Sequence, residues 1–444
     1  MGERKKGLGQ SSKIKPKENA DLLIINAKEL LTLAGPTGPR VGRQMSELGT
    51  VKDGALAIKE GRIIAVGPTH EISRLFRAGF VINAQGKTVL PGFVDPHTHL
   101  VFVGTREDDF HSRIKRTINS ENSASNLLMM TIKETRKARV ETLIDLGLER
   151  LDAMLVHGTT TAEVKSGYGL TTIDELKILE VTKRLNQLHS IDVISTLMPA
   201  HAIPPEYGGN ANVYFDLVIN EILPKVAAKG LAEFCDVSYE KGTFSLEQAK
   251  QILVKAASMG LKPKIHADKN GKSGGAEVAA SVNAVSADHL IFSSPDTIRT
   301  LAMKRVVAVL LPAVAFSLMT GKYADARGLI DNNVPVALGT GFGPDCWLEN
   351  QQLVITMACC FMHMTPAEAI TAATVNAAHA VNRADKVGTL EVGKSADVLI
   401  LNIPNYMVLA YRFGVNLVDK VIKNGRLVVD REKQDEPIFL DKME

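Results

Sequence analysis

Two histidines separated by one residue end the apolar segment PGFVDPHTHL, residues 91–100. His97 and His99 are expected to lie on one face of an extended chain, because side chains alternate along a strand. Two neutral imidazoles that converge from one strand end can bind a divalent metal ion. The alternative is a pair of half-buried histidines that are hydrogen-bonded to backbone carbonyls. The His-x-His pattern by itself leaves both interpretations open.

Three further histidines follow predicted strands: His201 in MPAHAIPPEY, His266 in KIHAD and His289 in SADHL. The carboxyl ends of parallel strands meet at one edge of a sheet, so we expect the five histidines to face one another. Five such residues at one rim favour a metal site over five separately hydrogen-bonded core histidines.

Two other polar residues adjoin this predicted rim. Arg106, in GTRED, has the planar donor set that binds a substrate carboxylate with two hydrogen bonds; the alternative is a surface ion pair with Glu107 or Asp108. Tyr168, in KSGYGL, lies in a glycine-flanked turn that would expose its hydroxyl, and an ordinary turn tyrosine is the alternative.

The scaffold that positions these residues is predicted from alternating β-type and helical segments between residues 89 and 387. The β-type runs are residues 89–100, 159–164, 192–197, 234–238, 263–268, 285–290, 306–311 and 334–338. Eight such units predict a (β/α)₈ TIM barrel, in which the chemistry lies at the carboxyl ends of the strands. A doubly wound open sheet is the alternative, but no glycine-rich phosphate-binding segment follows the first strand.

The two ends of the chain share a different pattern. Short period-two apolar runs with Asp-Gly and Glu-Gly turns predict that residues 21–88 and 388–434 build one small composite β-sandwich domain. Residues 1–20 are basic and polar and predict a disordered tail; without an apolar core they do not form a secretory signal.

Composition narrows the class of protein. The 444 residues are 45% hydrophobic and 23% charged, with 52 basic against 49 acidic side chains, so the total charge indicates neither nucleic acid nor an anionic membrane as a partner. Four cysteines form no disulfide framework, and no apolar segment is long enough to span a bilayer, which predicts a cytoplasmic protein. Cys359 and Cys360 lie in a predicted apolar helix that we expect in the core, although a homodimer interface is the alternative.

Several longer motifs together carry a family resemblance. PGFVDPHTHLVFVGTRE, HGTTTAEVKSGYGL, MPAHAIPPEY, KIHAD, AVSADHL and GTLEVGKSADVLILN resemble the imidazolonepropionase family of the amidohydrolase superfamily. The resemblance extends from about residue 21 to 434, and KSGYGL and AHAIPPEY are its most specific parts.

The resemblance implies a metal-dependent hydrolase of histidine degradation that opens a ring C–N bond of 4-imidazolone-5-propanoate to give N-formimidoyl-L-glutamate. It implies one divalent metal, Zn or Fe, and a small substrate that carries a carboxylate. The implied metal ligands are His97, His99 and His266. The implied substrate-binding residues are Arg106, Tyr168 and His201, and His289 would stabilise or protonate the reacting group.

The sequence departs from the family pattern at three site positions. Lys269 stands where the family has glutamate in His-Ala-Asp-Glu. Gly341 and Gly343 stand where it has the aspartate and asparagine of Thr-Asp-Phe-Asn-Pro-Gly. Losing a metal ligand and a proton-transfer group together is expected to reduce metal affinity and reaction rate severely. Asp345 and Asp268 are the candidates for a replacement acid.

Three hypotheses follow from these departures. The first is an imidazolonepropionase or a hydrolase of another cyclic amide. The second is a catalytically silent relative with a binding role. A deaminase of the same superfamily is the third, and it is disfavoured because those enzymes also need the strand-eight aspartate.

Overall fold

The computed structural model describes residues 17–115, 124–239 and 244–433. Most of the predicted tail, residues 116–123 and residues 240–243 therefore lie outside the described residues. The first strand begins at Glu18, so the predicted tail of residues 1–20 extends too far along the chain.

The strands and helices alternate along most of the described chain. The strands are β1 Glu18–Leu31, β2 Thr50–Lys59, β3 Arg62–Pro68, β4 Phe76–Asn83, β5 Thr88–Pro91, β6 Phe93–Thr98, β7 Thr159–Lys165, β8 Asp192–Ala200, β9 Phe234–Ser238, β10 Lys262–Ala267, β11 Ser286–His289, β12 Val307–Leu310, β13 Val336–Leu338, β14 Val398–Leu401, β15 Val418–Lys423 and β16 Arg426–Asp430. The α-helices are α1 Thr69–Leu75, α2 Glu107–Ile114, α3 Ala124–Lys137, α4 Val140–Val156, α5 Thr172–Leu188, α6 Ala211–Leu217, α7 Leu223–Lys229, α8 Leu246–Ser258, α9 Gly275–Ser281, α10 Pro295–Lys304, α11 Pro312–Ser317, α12 Ala326–Asp331, α13 Gln351–Met362, α14 Pro366–Ala372, α15 Val375–Ala380 and α16 Met407–Tyr411.

The strands β6 to β13 form the predicted barrel. They pair in chain order, all parallel, and a parallel bridge between Thr98 and Phe342 joins the first strand to the segment after the last. Their inward side chains alternate with outward ones, as a pleated strand requires. The prediction of a (β/α)₈ barrel is confirmed.

A second sheet is built from both ends of the chain, as the period-two patterns predicted. Its order is β16-β15-β14-β5-β1-β2-β3, with β4 paired in parallel to β1. The antiparallel pairing of β5 with β14, which places Pro91 opposite Val398, joins the N-terminal and C-terminal halves. The alternating apolar residues of these strands form a small core of their own.

The predicted first barrel strand, residues 89–100, is two strands. Pro91 ends β5 in the small sheet, Phe93 begins β6 in the barrel, and Gly92 lies between them. A Cβ on Gly92 would lie 2.1 Å from Oγ1 of Thr160, so the threonine side chain already fills the space that a side chain at residue 92 would need. The continuous apolar run concealed this change of sheet because both strands are buried.

Within the residues that the structure describes, no helix combines the length and apolarity needed to cross a membrane.

Candidate active site

The histidines predicted at the strand ends converge at the carboxyl end of the barrel, here called the barrel mouth. His97 lies in β6 and His99 directly follows it, while His266 and His289 belong to β10 and β11. The ring centroids of His97 and His266 are 4.5 Å apart, and those of His266 and His289 are 5.1 Å apart. One nitrogen from each of His97, His99 and His266 lies within 4.8 Å of the others, which is a spacing that one metal ion can bridge.

Carboxylates hold two of these imidazoles from below. Nδ1 of His97 lies 2.7 Å from Oδ2 of Asp288, and Nδ1 of His266 lies 3.0 Å from Oδ1 of Asp236. This arrangement fixes each ring and leaves its Nε2 for the mouth, as in carboxylate–histidine–metal triads. Nε2 of His266 is buried and has no hydrogen-bond partner in the structure. These residues fit a divalent metal ion, because an unpaired buried nitrogen otherwise costs stability.

An ionic network whose residues the sequence did not mark as functional lies beneath the histidines. Nζ of Lys165 lies 2.6 Å from Asp236, 3.0 Å from Glu163 and 3.2 Å from Asp288, and Nζ of Lys264 contacts Glu163. All five side chains are fully buried. Three carboxylates against two ammonium groups leave one formal negative charge, which favours a cation above them. The sequence signal for these buried charges is a polar residue at every second position of a strand, as with Ser286 and Asp288, because such residues point to the same face.

Burial also sets the protonation of the histidines. It lowers the pKa of His97, His99, His266 and His289 well below the usual range, and neighbouring imidazoles and lysines act in the same direction. The imidazoles are therefore neutral near pH 7, and neutral imidazole is the form that binds metal.

His201 and Tyr168 line the next part of the mouth. The ring of His201 stacks on His99 at 5.3 Å and meets Tyr168 edge-on at the same distance. Its Nδ1 lies 3.0 Å from the carbonyl oxygen of Gly167, and burial lowers the pKa of His201 to about 4. The structure thus brings both predicted substrate-binding residues against the histidine cluster.

The turn that carries Tyr168 is fixed by a residue that the sequence did not single out. The buried carboxylate of Glu175, at the start of α5, accepts hydrogen bonds from the backbone N–H groups of Gly167, Gly169 and Leu170, the last two at 2.9 and 2.8 Å. These bonds hold the KSGYGL segment against the mouth.

Arg106 lies at the outer side of the mouth. Nε and Nη2 donate to Oγ1 of Thr131 at 3.1 and 2.9 Å, and no ion pair with Glu107 or Asp108 occurs among the described residues. Arg106 and Asp345 line a cavity of about 380 Å³ together with Trp347. A guanidinium oriented by a neutral hydroxyl keeps its charge available for an anion.

His289 ends β11 with a backbone φ of 76°, in the left-handed region that a residue with a Cβ seldom adopts. Its Nδ1 is buried and has no hydrogen-bond partner in the structure. Strain of this kind is common where a side chain must be aimed into a site.

The departures from the family pattern have distinct structural consequences. Gly341 has a φ of 64°, and a Cβ there would lie 2.3 Å from Cγ2 of Val314, so helix α11 occupies the space of a side chain. Asp268 accepts hydrogen bonds from the backbone and hydroxyl of Ser273 at 2.7 and 2.9 Å, which directs its Oδ1 to that loop. Asp268 is therefore a poor candidate for the replacement acid.

Asp345, in contrast, faces the site. Its Oδ2 lies 3.9 Å from Nζ of Lys269. Burial by itself would raise the pKa of Asp345, but the positive charges of Lys269 and Arg106 outweigh it and lower the pKa to about 2. The mouth therefore contains an ionised carboxylate four residues beyond Gly341.

The comparisons with known proteins identify the family. Residues 237–428 match the model of the amidohydrolase family. The chain is 47% identical over 415 residues to an imidazolonepropionase of Alkaliphilus metalliredigens, covering 93% of this chain and 98% of that protein. It is 48% identical over 419 residues to an imidazolonepropionase of Geobacillus kaustophilus, covering 93% and 99%.

Solved structures share the fold at low sequence identity. An E. coli guanine deaminase superposes with a TM-score of 0.69 at 16% identity, covering 94% of this chain and 99% of that one. A triazine hydrolase variant gives a TM-score of 0.71 at 16% identity, covering 93% and 95%. At 44–48% identity over most of its length to several imidazolonepropionases, the chain belongs to the imidazolonepropionase family of amidohydrolases, hydrolases that open a cyclic C–N bond.

Proposed function

We propose that this protein hydrolyses a ring C–N bond of 4-imidazolone-5-propanoate to give N-formimidoyl-L-glutamate, in histidine degradation. The observation that carries the proposal is the cluster of neutral histidines, two of them held by Asp236 and Asp288, with the Arg106 guanidinium near enough to His201 and Tyr168 to act on their pKa values electrostatically. Water adds to the ring carbonyl carbon, the C–N bond breaks, and the departing nitrogen takes a proton.

One divalent metal ion, Zn or Fe, would be held by His97, His99 and His266. A bound ion of this kind supplies a hydroxide-like nucleophile near neutral pH and polarises a carbonyl oxygen. The unpaired Nε2 of His266 and the negative network below support this assignment. Metal analysis of the purified protein tests it: we expect about one equivalent, falling to a small fraction in His266→Ala. A folded wild-type protein without metal would contradict it.

The remaining residues bind and orient the substrate. Arg106 anchors the propanoate carboxylate with charge-assisted hydrogen bonds. Tyr168 and His201 contact the ring, and their mutual packing keeps both rotamers fixed. His289, with its unpaired Nδ1, hydrogen-bonds the reacting group and stabilises the charge that develops there.

Lys269 and Gly341 replace two acidic residues of the family. This change in the site favours a second candidate function, the hydrolysis of another cyclic amide. Turnover separates the two. Metal-loaded protein is incubated with 4-imidazolone-5-propanoate and with hydantoin and lactam substrates, and products are identified by mass spectrometry. Formation of N-formimidoyl-L-glutamate with the highest kcat/KM supports the proposal. A higher kcat/KM for another ring transfers the function to that substrate, and no turnover of any ring indicates a silent relative with a binding role.

We further propose a cytoplasmic protein with a small-molecule substrate and without a nucleic-acid or membrane partner. The near balance of 52 basic and 49 acidic side chains supports this.

A homodimer is the proposed assembly, because Met407, Tyr411 and Phe413 expose large apolar side chains on adjacent turns. Sedimentation equilibrium tests the dimer, and a monomer at micromolar concentration would contradict it.

A further inference from the structure

Lys269 and Asp345 form a pair of opposite charge across the barrel mouth. Lys269 follows β10 and Asp345 follows β13, and the distance from Nζ to Oδ2 is 3.9 Å. This separation is too long for a direct hydrogen bond. The two side chains are 26% and 28% exposed, so a ligand in the mouth can reach both.

The backbone around Asp345 holds the side chain toward the histidines. Gly343 and Cys346 exchange backbone hydrogen bonds of 3.0 and 3.1 Å, which closes a tight turn, and Oγ of Ser317 donates to the carbonyl oxygen of Asp345 at 2.7 Å. These contacts use backbone atoms and do not occupy the side-chain oxygens of Asp345.

The direction of this carboxylate follows from its neighbours. A Cβ placed on Gly343 would lie 3.6 Å from Oδ1 of Asp345, 3.6 Å from Cβ of His99 and 3.7 Å from Oη of Tyr168. Three site residues therefore surround the same small space, which the absence of a side chain at Gly343 opens. A ring bound against Tyr168 would meet Asp345 there.

The other carboxylates near the histidines are already engaged. Asp236 and Asp288 bind Lys165 and the imidazoles, Asp95 accepts from Thr340, and Asp268 accepts from Ser273. Among these carboxylates of the described chain, Asp345 is the one that lines a cavity together with Arg106.

We propose that Lys269 and Asp345 recognise the amide edge of a cyclic substrate, with Asp345 accepting the ring N–H and Lys269 donating to the ring oxygen. In a five-membered cyclic amide the N–H and C=O point to the same side of the ring. A donor and an acceptor 3.9 Å apart can therefore engage both at once. The inference rests on the proposed function and adds the residues that select its substrate class.

The test uses two unreactive ligands and the metal-loaded full-length protein. 2-Oxopyrrolidine-3-propanoate offers a ring N–H, a ring oxygen and, as in imidazolone propanoate, the propanoate arm on the carbon beside the carbonyl; its N-methyl derivative has a methyl group in place of the N–H hydrogen. Calorimetric titration gives the ratio of the two dissociation constants. We expect the wild type to bind the lactam about tenfold more tightly than the N-methyl compound, which is the effect of one hydrogen bond to a charged group.

The variants separate the two halves of the pair. Asp345→Ala should reduce the ratio to about one, and Asp345→Asn, which preserves size but not charge, should give an intermediate ratio. Lys269→Met should weaken both ligands about tenfold and leave the ratio unchanged, because both ligands retain the ring oxygen. Asp296→Ala, on an exposed part of α10, is the control and should match the wild type.

The outcomes also distinguish this inference from the proposed function. A wild-type ratio near one, or an unchanged ratio in both Asp345 variants, overturns the inference even if the protein turns over imidazolone propanoate. A wild-type ratio of about ten that is lost in Asp345→Ala supports the inference even if that compound is not turned over, and points to another cyclic amide.

Discussion

Asp288 accepts a hydrogen bond from Nδ1 of His97 at 2.7 Å, across 191 residues of sequence. The bond fixes the imidazole tautomer and directs Nε2 to the barrel mouth. It makes Asp288 a positioning residue for the metal site proposed at His97, His99 and His266.

The first prediction concerns this bond. Asp288→Asn should lower the affinity for Zn²⁺ about 10- to 100-fold, the usual effect of losing a carboxylate that supports a metal-binding histidine. Competition with a chromogenic chelator measures the dissociation constant independently of activity. Asp152→Asn, at an exposed position, is the matched control. An unchanged affinity in Asp288→Asn would show that His97 does not need the carboxylate.

The sequence allowed the barrel and the histidine cluster to be predicted for one physical reason. Strand alternation and the shared edge of parallel strands place His97, His266 and His289 together without knowledge of side-chain contacts. The carboxylates that hold those histidines could not be predicted from the sequence, because the pairing of His97 with Asp288 depends on how the barrel closes. The change of sheet at Gly92 was hidden since both neighbouring strands are apolar.

The orientation of the Asp345 side chain could not be predicted from the sequence for a different reason. Four residues separate it from Gly341, and sequence spacing alone does not tell whether a loop side chain turns inward or into solvent. The tight turn between Gly343 and Cys346 decides this. Asp268 was the other candidate for a replacement acid, but its φ of 53° and its bonds to Ser273 tie it to the loop that follows β10.

The second prediction concerns the two glycines of the strand-eight loop. Gly341→Asp should destabilise the fold by about 1–3 kcal/mol, because φ is positive and Val314 fills the side-chain position. Gly343→Asn should change stability by less than about 1 kcal/mol, since its nearest neighbours lie at ordinary contact distances of 3.6–3.7 Å. Urea denaturation measures both. Equal stability of the two variants would contradict the assigned crowding at Gly341.

Restoring the family acid therefore requires a second change. Gly341→Asp with Val314→Ala is expected to recover part of the stability lost in Gly341→Asp alone, because the smaller side chain removes the contact at 2.3 Å. An additive loss in the double variant would refute this explanation.

The third prediction concerns the turn that carries Tyr168. Glu175→Ala leaves the N–H groups of Gly169 and Leu170 without their carboxylate acceptor, which costs about 1–3 kcal/mol for buried donors. Hydrogen exchange at these two amides should accelerate, and KM should rise more than kcat falls. Glu180→Ala, on the exposed side of α5, serves as the comparison. Unchanged exchange at Gly169 would exclude this role for Glu175.

The fourth prediction is a pH dependence of stability remote from the mouth. Burial, together with the charges of Lys394 and Arg40, lowers the pKa of His379 from 6.5 to about 4. The unfolded chain protonates His379 at a higher pH than the folded chain does. The contribution of neutral His379 to the free energy of unfolding is therefore complete above pH 6.5 and is lost as pH falls toward 4. The loss should be about 2–3 kcal/mol over this range.

A substitution isolates that contribution. The stability difference between pH 7 and pH 4.5 should be smaller in His379→Gln than in the wild type, as measured by urea denaturation at both values. His70→Gln, at an exposed site, should retain the wild-type difference. Identical differences in all three proteins would contradict the assignment to His379.

The central claim is that this barrel mouth, in which Lys269 and Gly341 replace the family's acids and Asp345 supplies a nearby carboxylate, still supports metal-dependent ring opening. One preparation of the wild-type protein, analysed for metal and then assayed with 4-imidazolone-5-propanoate before and after chelation, tests it most directly. We predict about one equivalent of divalent metal and formation of N-formimidoyl-L-glutamate that stops on chelation and returns with metal. A folded, metal-loaded protein that forms no product would contradict it.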